Sequence, residues 1–265
     1  MEALFSEVDV LKSLRHPNVV KLYDFFEDEN HYYLVMEKMT GGELFDRIVT
    51  KSFYNENDAR DLSKILLKAM GHIHDRRIAH RDLKPENLLL VNKQDDCLIK
   101  IADFGFAKRC ESENSLTTLC GTPGYVAPEL LNKSPYGTKV DMWSVGVIIY
   151  ILLGGYPPFM ENNQPDLFRK IKKGEYEFHD DYWKNVSTEA KDLISSLLVV
   201  DSSKRCNARD ALSSHWITKV DTSLVNNDLG VNLVELRKFN GKRKLRGAVR
   251  ALILTNRLER RKLIK

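Results

Sequence analysis

The chain has 265 residues, of which 43% are hydrophobic, so it can form one large domain or two small ones with a sizeable core. Its longest apolar run, residues 145–153, is too short to span a bilayer, so it predicts a buried helix and no transmembrane segment is expected. The start shows no signal peptide. The four cysteines have no C-x-x-C spacing and no clustered histidines, which argues against a zinc site and indicates free thiols in a cytosolic or nuclear protein.

The net charge of +4 hides two opposite parts. Residues 235–265 hold 12 basic and two acidic residues, a net charge of +10, whereas residues 1–234 hold 29 basic and 35 acidic residues, a net charge of −6. The last segment is therefore expected to be a separate basic element. No nucleic-acid partner is expected for it.

The spacing of apolar residues predicts four elements before residue 78. They are a helix with an apolar stripe at Leu4, Val8 and Leu11, a hairpin of runs 19–25 and 32–37, a helix that begins near Glu43, and a long helix over 56–76.

A loop of three chemically different polar groups follows these elements. Asp82, Lys84 and Asn87 come after His80-Arg81 and before an apolar run, in the pattern H-R-D-L-x-x-x-N. A carboxylate in this loop can accept the proton of a substrate hydroxyl, and an amide oxygen can ligate magnesium beside a transferring phosphate. Two further motifs follow in order: Asp103-Phe104-Gly105 and Ala127-Pro128-Glu129.

Together the three motifs resemble those of the eukaryotic protein kinases, and the resemblance covers nearly the whole chain. The sequences GGELFDRI, GTPGYVAPE and GGYPPF make the chain most similar to the calcium/calmodulin-dependent group. The resemblance implies an α+β, bilobal protein-kinase-like fold, with a mainly helical large lobe at residues 40–218. The small lobe, at residues 1–39, is expected to be truncated to helix αC and the remaining strands, because no Gly-rich loop and no V-A-I-K lysine occur in the sequence. Glu7 matches the αC glutamate, or it is a plain solvated helix carboxylate.

The resemblance also implies ATP and Mg²⁺ as cofactors and assigns residues to them. Asp82 would accept the proton of the substrate hydroxyl, Lys84 would steady the transferring phosphate, and Asn87 and Asp103 would hold the metal. The other residues expected at the nucleotide are Glu37, Met39, Glu43, Glu86 and Leu89.

Glu43 and Asp46, two acids on the helix that begins near Glu43, have two interpretations. Glu43 and Asp46 would bind the ATP ribose or a substrate arginine, or they are acids that a helix N-terminus favours through its dipole. Glu43 and Glu86 together suggest that the protein substrates carry basic residues upstream of the phosphorylated Ser or Thr.

The polar segment between the second and third motifs matches the activation segment of the family. Thr118 stands at the position that is phosphorylated in many relatives, and a phosphate on it could pair with Arg81 and Lys108. Thr117 or Ser115 could serve instead, and an unmodified segment is the remaining alternative.

The rest of the large lobe is predicted to be helical. Asp141 is interpreted as the N-terminal cap of a buried helix that ends at Gly154, and residues 164–218 are expected to form further amphipathic helices. The resemblance implies a buried structural ion pair between Glu129 and Arg205.

The last part of the chain, residues 219–265, is predicted to be a linker and a basic amphipathic helix. The turn-rich run Asp221–Asn232 is interpreted as the linker. Beyond it, Leu245, Val249 and Leu254 share one face of an otherwise basic helix.

Three functions fit such a helix. It could bind acidic, calcium-loaded calmodulin through residues 235–260, lie on an anionic membrane surface, or pack permanently on the kinase domain. Because FNGKRKLRGAV closely resembles the regulatory segment of calcium/calmodulin-dependent kinases, we expect calmodulin binding with Leu245, Val249 and Leu254 as anchors. Asn232 stands where some relatives carry an autophosphorylated threonine. No EF-hand loop occurs, so the chain is not expected to bind calcium alone.

The main hypothesis is thus a cytoplasmic or nuclear protein Ser/Thr kinase that uses MgATP and is regulated by calcium and calmodulin. The alternative is a catalytically inactive kinase fragment that acts as a calmodulin-binding or protein-binding module.

Overall fold

The structure, a computed structural model, describes residues 2–219 and 222–262, without the side chains of residues 2, 3, 222, 250, 254 and 256–262. Within these residues the chain forms eleven α-helices and seven strands. The helices are α1 (Glu2–Ser13), α2 (Leu44–Val49), α3 (Glu56–His74), α4 (Pro128–Leu131), α5 (Lys139–Gly154), α6 (Gln164–Lys173), α7 (Asp180–Trp183), α8 (Thr188–Leu197), α9 (Ala208–Leu212), α10 (His215–Thr218) and α11 (Gly230–Lys262). The strands are β1 (Leu22–Glu27), β2 (Tyr32–Met36), β3 (Gly42–Glu43), β4 (Ile78–Ala79), β5 (Leu88–Leu90), β6 (Ile99–Ile101) and β7 (Lys108–Arg109).

The N-terminal part consists of helix α1 and the antiparallel hairpin β1–β2, which confirms both predictions for this region. Helix α1 buries Val8 and Leu11, two residues of the predicted apolar stripe. The segment before β1 reaches the rest of the protein through the backbone, where Val20 N donates to Ile101 O at 2.9 Å. The hairpin is therefore attached directly to the sheet that carries the polar motifs.

Two small antiparallel sheets bring the motifs together. In one, β5 lies between β3 and β6, with Leu88 opposite Ile101. In the other, β4 pairs with β7, so that Ile78 lies opposite Arg109. Segment 80–87 connects β4 to β5, and segment 102–107 connects β6 to β7. Because β4 pairs with β7 and β5 pairs with β6, these two segments, which contain the first two motifs, must lie side by side.

Helix α5 forms the centre of the large, helical part, as its long apolar run predicted. Every residue from Val140 to Gly154 is buried. Gly146 and Gly154 allow close packing, because a Cβ atom would come within 2.9 Å of Leu197 and 2.7 Å of Trp183. The helix ends as predicted, at Gly154, and the next residue, Gly155, has a φ of 81°, which glycine adopts without strain.

Buried polar groups join distant parts of this core. The expected pair of Glu129 and Arg205 is present, with two parallel hydrogen bonds of 2.7 and 2.9 Å. Glu56, at the start of α3, is completely buried and accepts hydrogen bonds from Trp216 Nε1 at 2.8 Å, Asn227 Nδ2 at 2.8 Å and both donors of Ser187. One carboxylate therefore fixes four segments to one another.

The interpretation of residues 221–232 as a linker is wrong at its end. Helix α11 already begins at Gly230, and Leu229, Leu233 and Leu236 are buried. Their spacing of four and three residues places them on one helix face, which packs on α5. Residues 220 and 221 lie outside the described residues, and the boundaries of the three predicted domains stay predictions. Although α11 is 33 residues long, no helix in the described ranges is apolar enough over a sufficient length to cross a bilayer.

Candidate active site

The carboxylate of Asp141 holds the backbone of the polar loop 80–87 at its start. This residue is fully buried, and it accepts hydrogen bonds from the backbone N–H of His80 at 2.9 Å and of Arg81 at 2.8 Å. His74 Nε2 lies 2.9 Å from the same carboxylate. Burial alone would raise the pKa of Asp141, but the hydrogen bond and the charge of His74 outweigh it and lower the pKa.

The interpretation of Asp141 as a helix cap is thus wrong. Thr138 occupies the cap position, and Asp141 lies in the first turn of α5. Its carboxylate holds Arg81 at φ of 70°, in the left-handed region that costs a residue with a side chain about 1–3 kcal/mol. Such strain is common where a loop has to present a reactive group.

Asp82, Lys84 and Thr122 form one hydrogen-bonded cluster above this anchor. Thr122 Oγ1 donates to Asp82 Oδ1 at 2.7 Å, and Lys84 Nζ contacts Asp82 Oδ2 and lies 3.3 Å from Thr122 Oγ1. Asn87 Nδ2 donates to Asp82 O at 2.8 Å. The site therefore holds a carboxylate that accepts an O–H donor, next to an ammonium group.

Asn87 and Asp103 lie at the ends of the paired strands β5 and β6, where Ala102 N donates to Asn87 O at 2.9 Å. Since Asn87 Nδ2 is used by Asp82 O, its Oδ1 atom is the end left for a ligand. Asp103 is exposed, whereas Phe104 is buried with its ring 4.8 Å from that of His80. An amide and a carboxylate oxygen are donors that Mg²⁺ prefers.

Within the described residues no cluster of three or more His, Cys, Asp or Glu could hold a metal ion. A magnesium ion at Asn87 and Asp103 would therefore need phosphate oxygens or water to complete its shell, which is usual for this ion.

Glu7 of α1 faces this region and not open solvent. An added Cβ at Gly105 would lie 3.8 Å from Glu7 Oε2 and 3.3 Å from Asp103 Oδ1, so the two carboxylates flank the same glycine. Burial and the charge of Asp103 raise the pKa of Glu7. The structure thus favours the match of Glu7 to the αC glutamate over its interpretation as a solvated helix carboxylate.

The residues expected at the nucleotide border one end of this region. The Glu37 Oε2 atom is held by Lys100 Nζ at 2.9 Å and by Lys21 N at 3.3 Å, and Glu37 N donates to Lys21 O at 2.9 Å. Met39 and Leu89 are half-buried. The roles of Glu37, Met39 and Leu89 stay predictions.

The acids Glu43, Asp46 and Glu86 are occupied by two cations of the tail. Arg243 lies 2.5 Å from Glu43 Oε2 and 3.3 Å from Glu86 Oε2. Lys244 Nζ lies 2.6 Å from Glu43 Oε1 and 2.7 Å from Asp46 Oδ2. The three acids therefore form one cation-binding patch, which we call the acidic patch, and helix α11 covers it.

This contact shifts the pKa of a group on each side, Asp46 in the acidic patch and Arg243 in the tail. Burial opposes ionisation of Asp46, but hydrogen bonds from Asn240, at 2.9 Å, and from Lys244 lower its pKa overall. Burial likewise opposes the charge of Arg243, and Glu86 and Glu43 outweigh it, so its pKa is raised. The sequence did not identify Asn240, Arg243 or Lys244, because a run of basic residues does not show which of them meets an acid.

Activation-segment residues lie close to the catalytic loop. Thr118 is exposed, and its carbonyl is linked to Arg81 through the hydroxyl of Tyr136. Lys108 is exposed on β7, and its pairing with a phosphate on Thr118 stays a prediction.

Beyond the acidic patch the tail helix is exposed on its apolar side. Leu245 and Val249 are 66% and 45% exposed, and Leu252 and Ile253 are 65% and 46% exposed. The side chain of Leu254 lies outside the described residues. The permanent-packing interpretation therefore fits the first half of α11, whereas the apolar side chains that the structure describes in the second half are exposed.

Comparison with known proteins identifies this arrangement. Residues 1–217 match the family described as protein kinase domain. The chain is 48% identical over 258 residues to calcium/calmodulin-dependent protein kinase type 1 of Caenorhabditis elegans, which covers 97% of the chain and 74% of that protein.

Two other relatives agree. Calcium/calmodulin-dependent protein kinase type IV of Mus musculus is 47% identical over 96% of the chain and 54% of its own length. Myosin light chain kinase A of Dictyostelium discoideum is 52% identical over 80% of the chain and 72% of its own length. The bilobal kinase-like fold and the family inferred from the motifs are thus confirmed: the chain belongs to the eukaryotic protein kinases, in the calcium/calmodulin-dependent group.

Proposed function

We propose that the chain transfers the γ-phosphoryl group of MgATP to Ser and Thr hydroxyls of proteins, and that calcium-loaded calmodulin controls this activity. The convergence of Asp82, Lys84 and Thr122 is the observation that carries the proposal. The hydroxyl of Thr122 already donates to Asp82, and this is the contact that a substrate hydroxyl needs before it attacks a phosphate.

The residues of the site divide the work. Asp82 accepts the proton of the substrate hydroxyl, and Lys84 places a positive charge beside the transferring phosphate. Asn87 and Asp103 would hold Mg²⁺, which neutralises charge on the nucleotide phosphates when it is bound. Since phosphoryl transfer depends mainly on positioning and charge, the fixed backbone of the loop is itself part of the catalyst.

The position of helix α11 supports control by its release. Arg243 and Lys244 occupy the acidic patch, where basic residues of a protein substrate would bind. The second half of the helix presents Leu245 and Val249 to solvent within a basic sequence, as calmodulin targets do. Calmodulin that binds these side chains would draw the helix away from the acidic patch.

The substrates would then be proteins with basic residues upstream of the phosphorylated Ser or Thr. We also propose a cytosolic or nuclear location, which the four free cysteines support.

A phosphotransfer assay tests the proposal directly. The full chain is incubated with radiolabelled ATP, Mg²⁺, calcium-loaded calmodulin and a serine peptide with upstream arginines. Asp82→Asn should lower kcat by about 10²–10⁴, the usual contribution of a general base. Asp192→Asn, at an exposed position of α8, is the matched control.

Two outcomes would contradict this. Turnover that survives Asp82→Asn would remove the assigned proton acceptor. An intact chain that binds calmodulin but shows no turnover would instead support a non-catalytic, protein-binding function.

A further inference from the structure

Tyr136 lies in the connection between α4 and α5 and is only 2% exposed. Its backbone pairs with Leu116 of the activation segment: Tyr136 N donates to Leu116 O at 2.8 Å, and Leu116 N donates to Tyr136 O at 3.0 Å. At the next residue, Gly137, an added Cβ would lie 2.0 Å from Glu113 O. The activation segment is therefore closely attached to this connection along residues 113–116.

The hydroxyl of Tyr136 adds a link to the catalytic loop. It donates to Thr118 O at 2.6 Å and accepts from an Arg81 guanidinium nitrogen at 3.1 Å. Burial raises the pKa of this hydroxyl to about 12, so it keeps its proton at neutral pH and can serve both partners at once.

The guanidinium group of Arg81 is held by neutral acceptors, whereas its backbone N–H donates to Asp141. Besides the Tyr136 hydroxyl, its Nε atom donates to Phe106 O at 2.6 Å. A guanidinium forms stronger hydrogen bonds to charged acceptors such as phosphate. A phosphate on Thr118 would therefore compete with Tyr136 for the same arginine.

We propose that Tyr136 is a positioning residue for the phosphotransfer, and that its hydroxyl substitutes for a phosphate on Thr118. By holding Thr118 against Arg81, it keeps the following residues in place, including Thr122 on Asp82, before any modification. The inference rests on the proposed function. It gives the hydroxyl a conditional role, needed in the unmodified chain and dispensable once Thr118 is phosphorylated.

The test compares Tyr136→Phe, which keeps the ring and the backbone pair, with Tyr176→Phe. The control loses a hydroxyl that bonds Ser195 at 3.3 Å, away from the site. Each full chain is prepared with unmodified Thr118 and with genetically encoded phosphothreonine at position 118. We measure kcat and KM for a serine peptide, and KM for ATP, in the presence of calcium-loaded calmodulin.

In the unmodified chain, Tyr136→Phe should lower kcat/KM for the peptide about 5- to 10-fold, the effect of losing one or two hydrogen bonds, while KM for ATP stays unchanged. In the phosphorylated chain the loss should fall to about twofold or less, because the phosphate binds Arg81. An equal loss in both forms would indicate a merely structural hydroxyl and overturn the proposal, as would no loss in either.

Hydrogen exchange provides a measurement that needs no turnover. The Leu116 amide, which is bonded to Tyr136, should exchange about fivefold faster in unmodified Tyr136→Phe than in Tyr176→Phe, because a neighbouring tether is lost. An unchanged exchange rate of the Leu116 amide would show that the Tyr136 hydroxyl does not hold the activation segment in place, and would overturn the proposal. If the unaltered chain shows no turnover, the proposed function fails. The exchange rate of the Leu116 amide then decides alone whether the Tyr136 hydroxyl holds the activation segment in place.

Discussion

The catalytic loop 80–87 and the tail meet where Arg243 lies 3.3 Å from Glu86, but the two segments are held in place in different ways. The loop rests on Asp141, a carboxylate with 0% exposure that accepts two backbone N–H groups and contacts His74. The tail is held by apolar packing of Leu233 and Leu236 and, nearer the loop, by ion pairs of mixed exposure: the side chain of Arg243 is 9% exposed, whereas those of Lys244 and Asp46 are 45% and 41% exposed.

This difference decides which region can move. Exposed ion pairs contribute about 0–1 kcal/mol each, because water solvates the separated charges nearly as well. Removing a buried acceptor costs much more, since its donors then have no partner. We therefore expect the loop to stay in place, whereas the exposed ion pairs of Lys244 are the part of the contact that separates most easily.

The largest effect is expected from removing the loop anchor. Asp141→Ala leaves two buried backbone N–H groups and the His74 ring without their acceptor, so unfolding should become easier by about 3–5 kcal/mol. Urea unfolding measures this. Asp192→Ala, on the exposed side of α8, should stay within about 0.5 kcal/mol of the unaltered chain. Equal stability of the two variants would show that the anchor does not hold the loop.

Asp141 also shows the limit of reasoning from sequence. Asp82, Asn87 and Asp103 could be identified because they lie within short motifs, and the apolar runs beside them predict the strands that pair. Asp141 stands directly before an apolar run, where an acid is common as a helix cap, and nothing local distinguishes a cap from a buried acceptor. Its partners come from a different segment, so only the folded chain reveals them.

The same reasoning applies to the tail. The sequence predicted a basic helix here, because helical spacing is a local property, and the structure places Leu245 and Val249 on that helix with exposed side chains. It did not predict that the helix begins at Gly230 or that Arg243 meets Glu43 and Glu86. These contacts depend on which surface of the large lobe the apolar residues Leu233 and Leu236 cover.

The next effect concerns the exposed half of α11. Leu245→Ala plus Val249→Ala should weaken binding of calcium-loaded calmodulin to the full chain about 10- to 100-fold, because two apolar anchors lose most of their buried area. Isothermal titration measures the affinity. Val231→Ala is a matched control on the same helix, where the side chain is 64% exposed but precedes the basic segment. Equal affinity of the double variant and the control would rule out these side chains as anchors.

A smaller effect is expected at the acidic patch. Arg243→Ala plus Lys244→Ala removes four ion pairs to Glu43, Asp46 and Glu86 and should raise calmodulin-free activity about tenfold, as several weak ion pairs together allow. Lys238→Ala, whose ammonium bonds Glu235 within the same helix, should leave this activity unchanged. If both variants behave like the unaltered chain, the tail does not restrain activity through these charges.

The smallest effect is expected from a change in salt concentration, which should act on the tail contact but not on the loop anchor. Because Lys244 is 45% exposed, raising the ionic strength from about 0.05 M to about 0.5 M screens its ion pairs and weakens docking, whereas the buried anchor at Asp141 is little affected. The ratio of calmodulin-free to calmodulin-bound activity should therefore rise about two- to threefold. Using the ratio cancels any effect of salt on catalysis itself. The variant Arg243→Ala plus Lys244→Ala should show no such rise, and an equal rise in both chains would mean that apolar packing of α11, not charge, holds the tail in place.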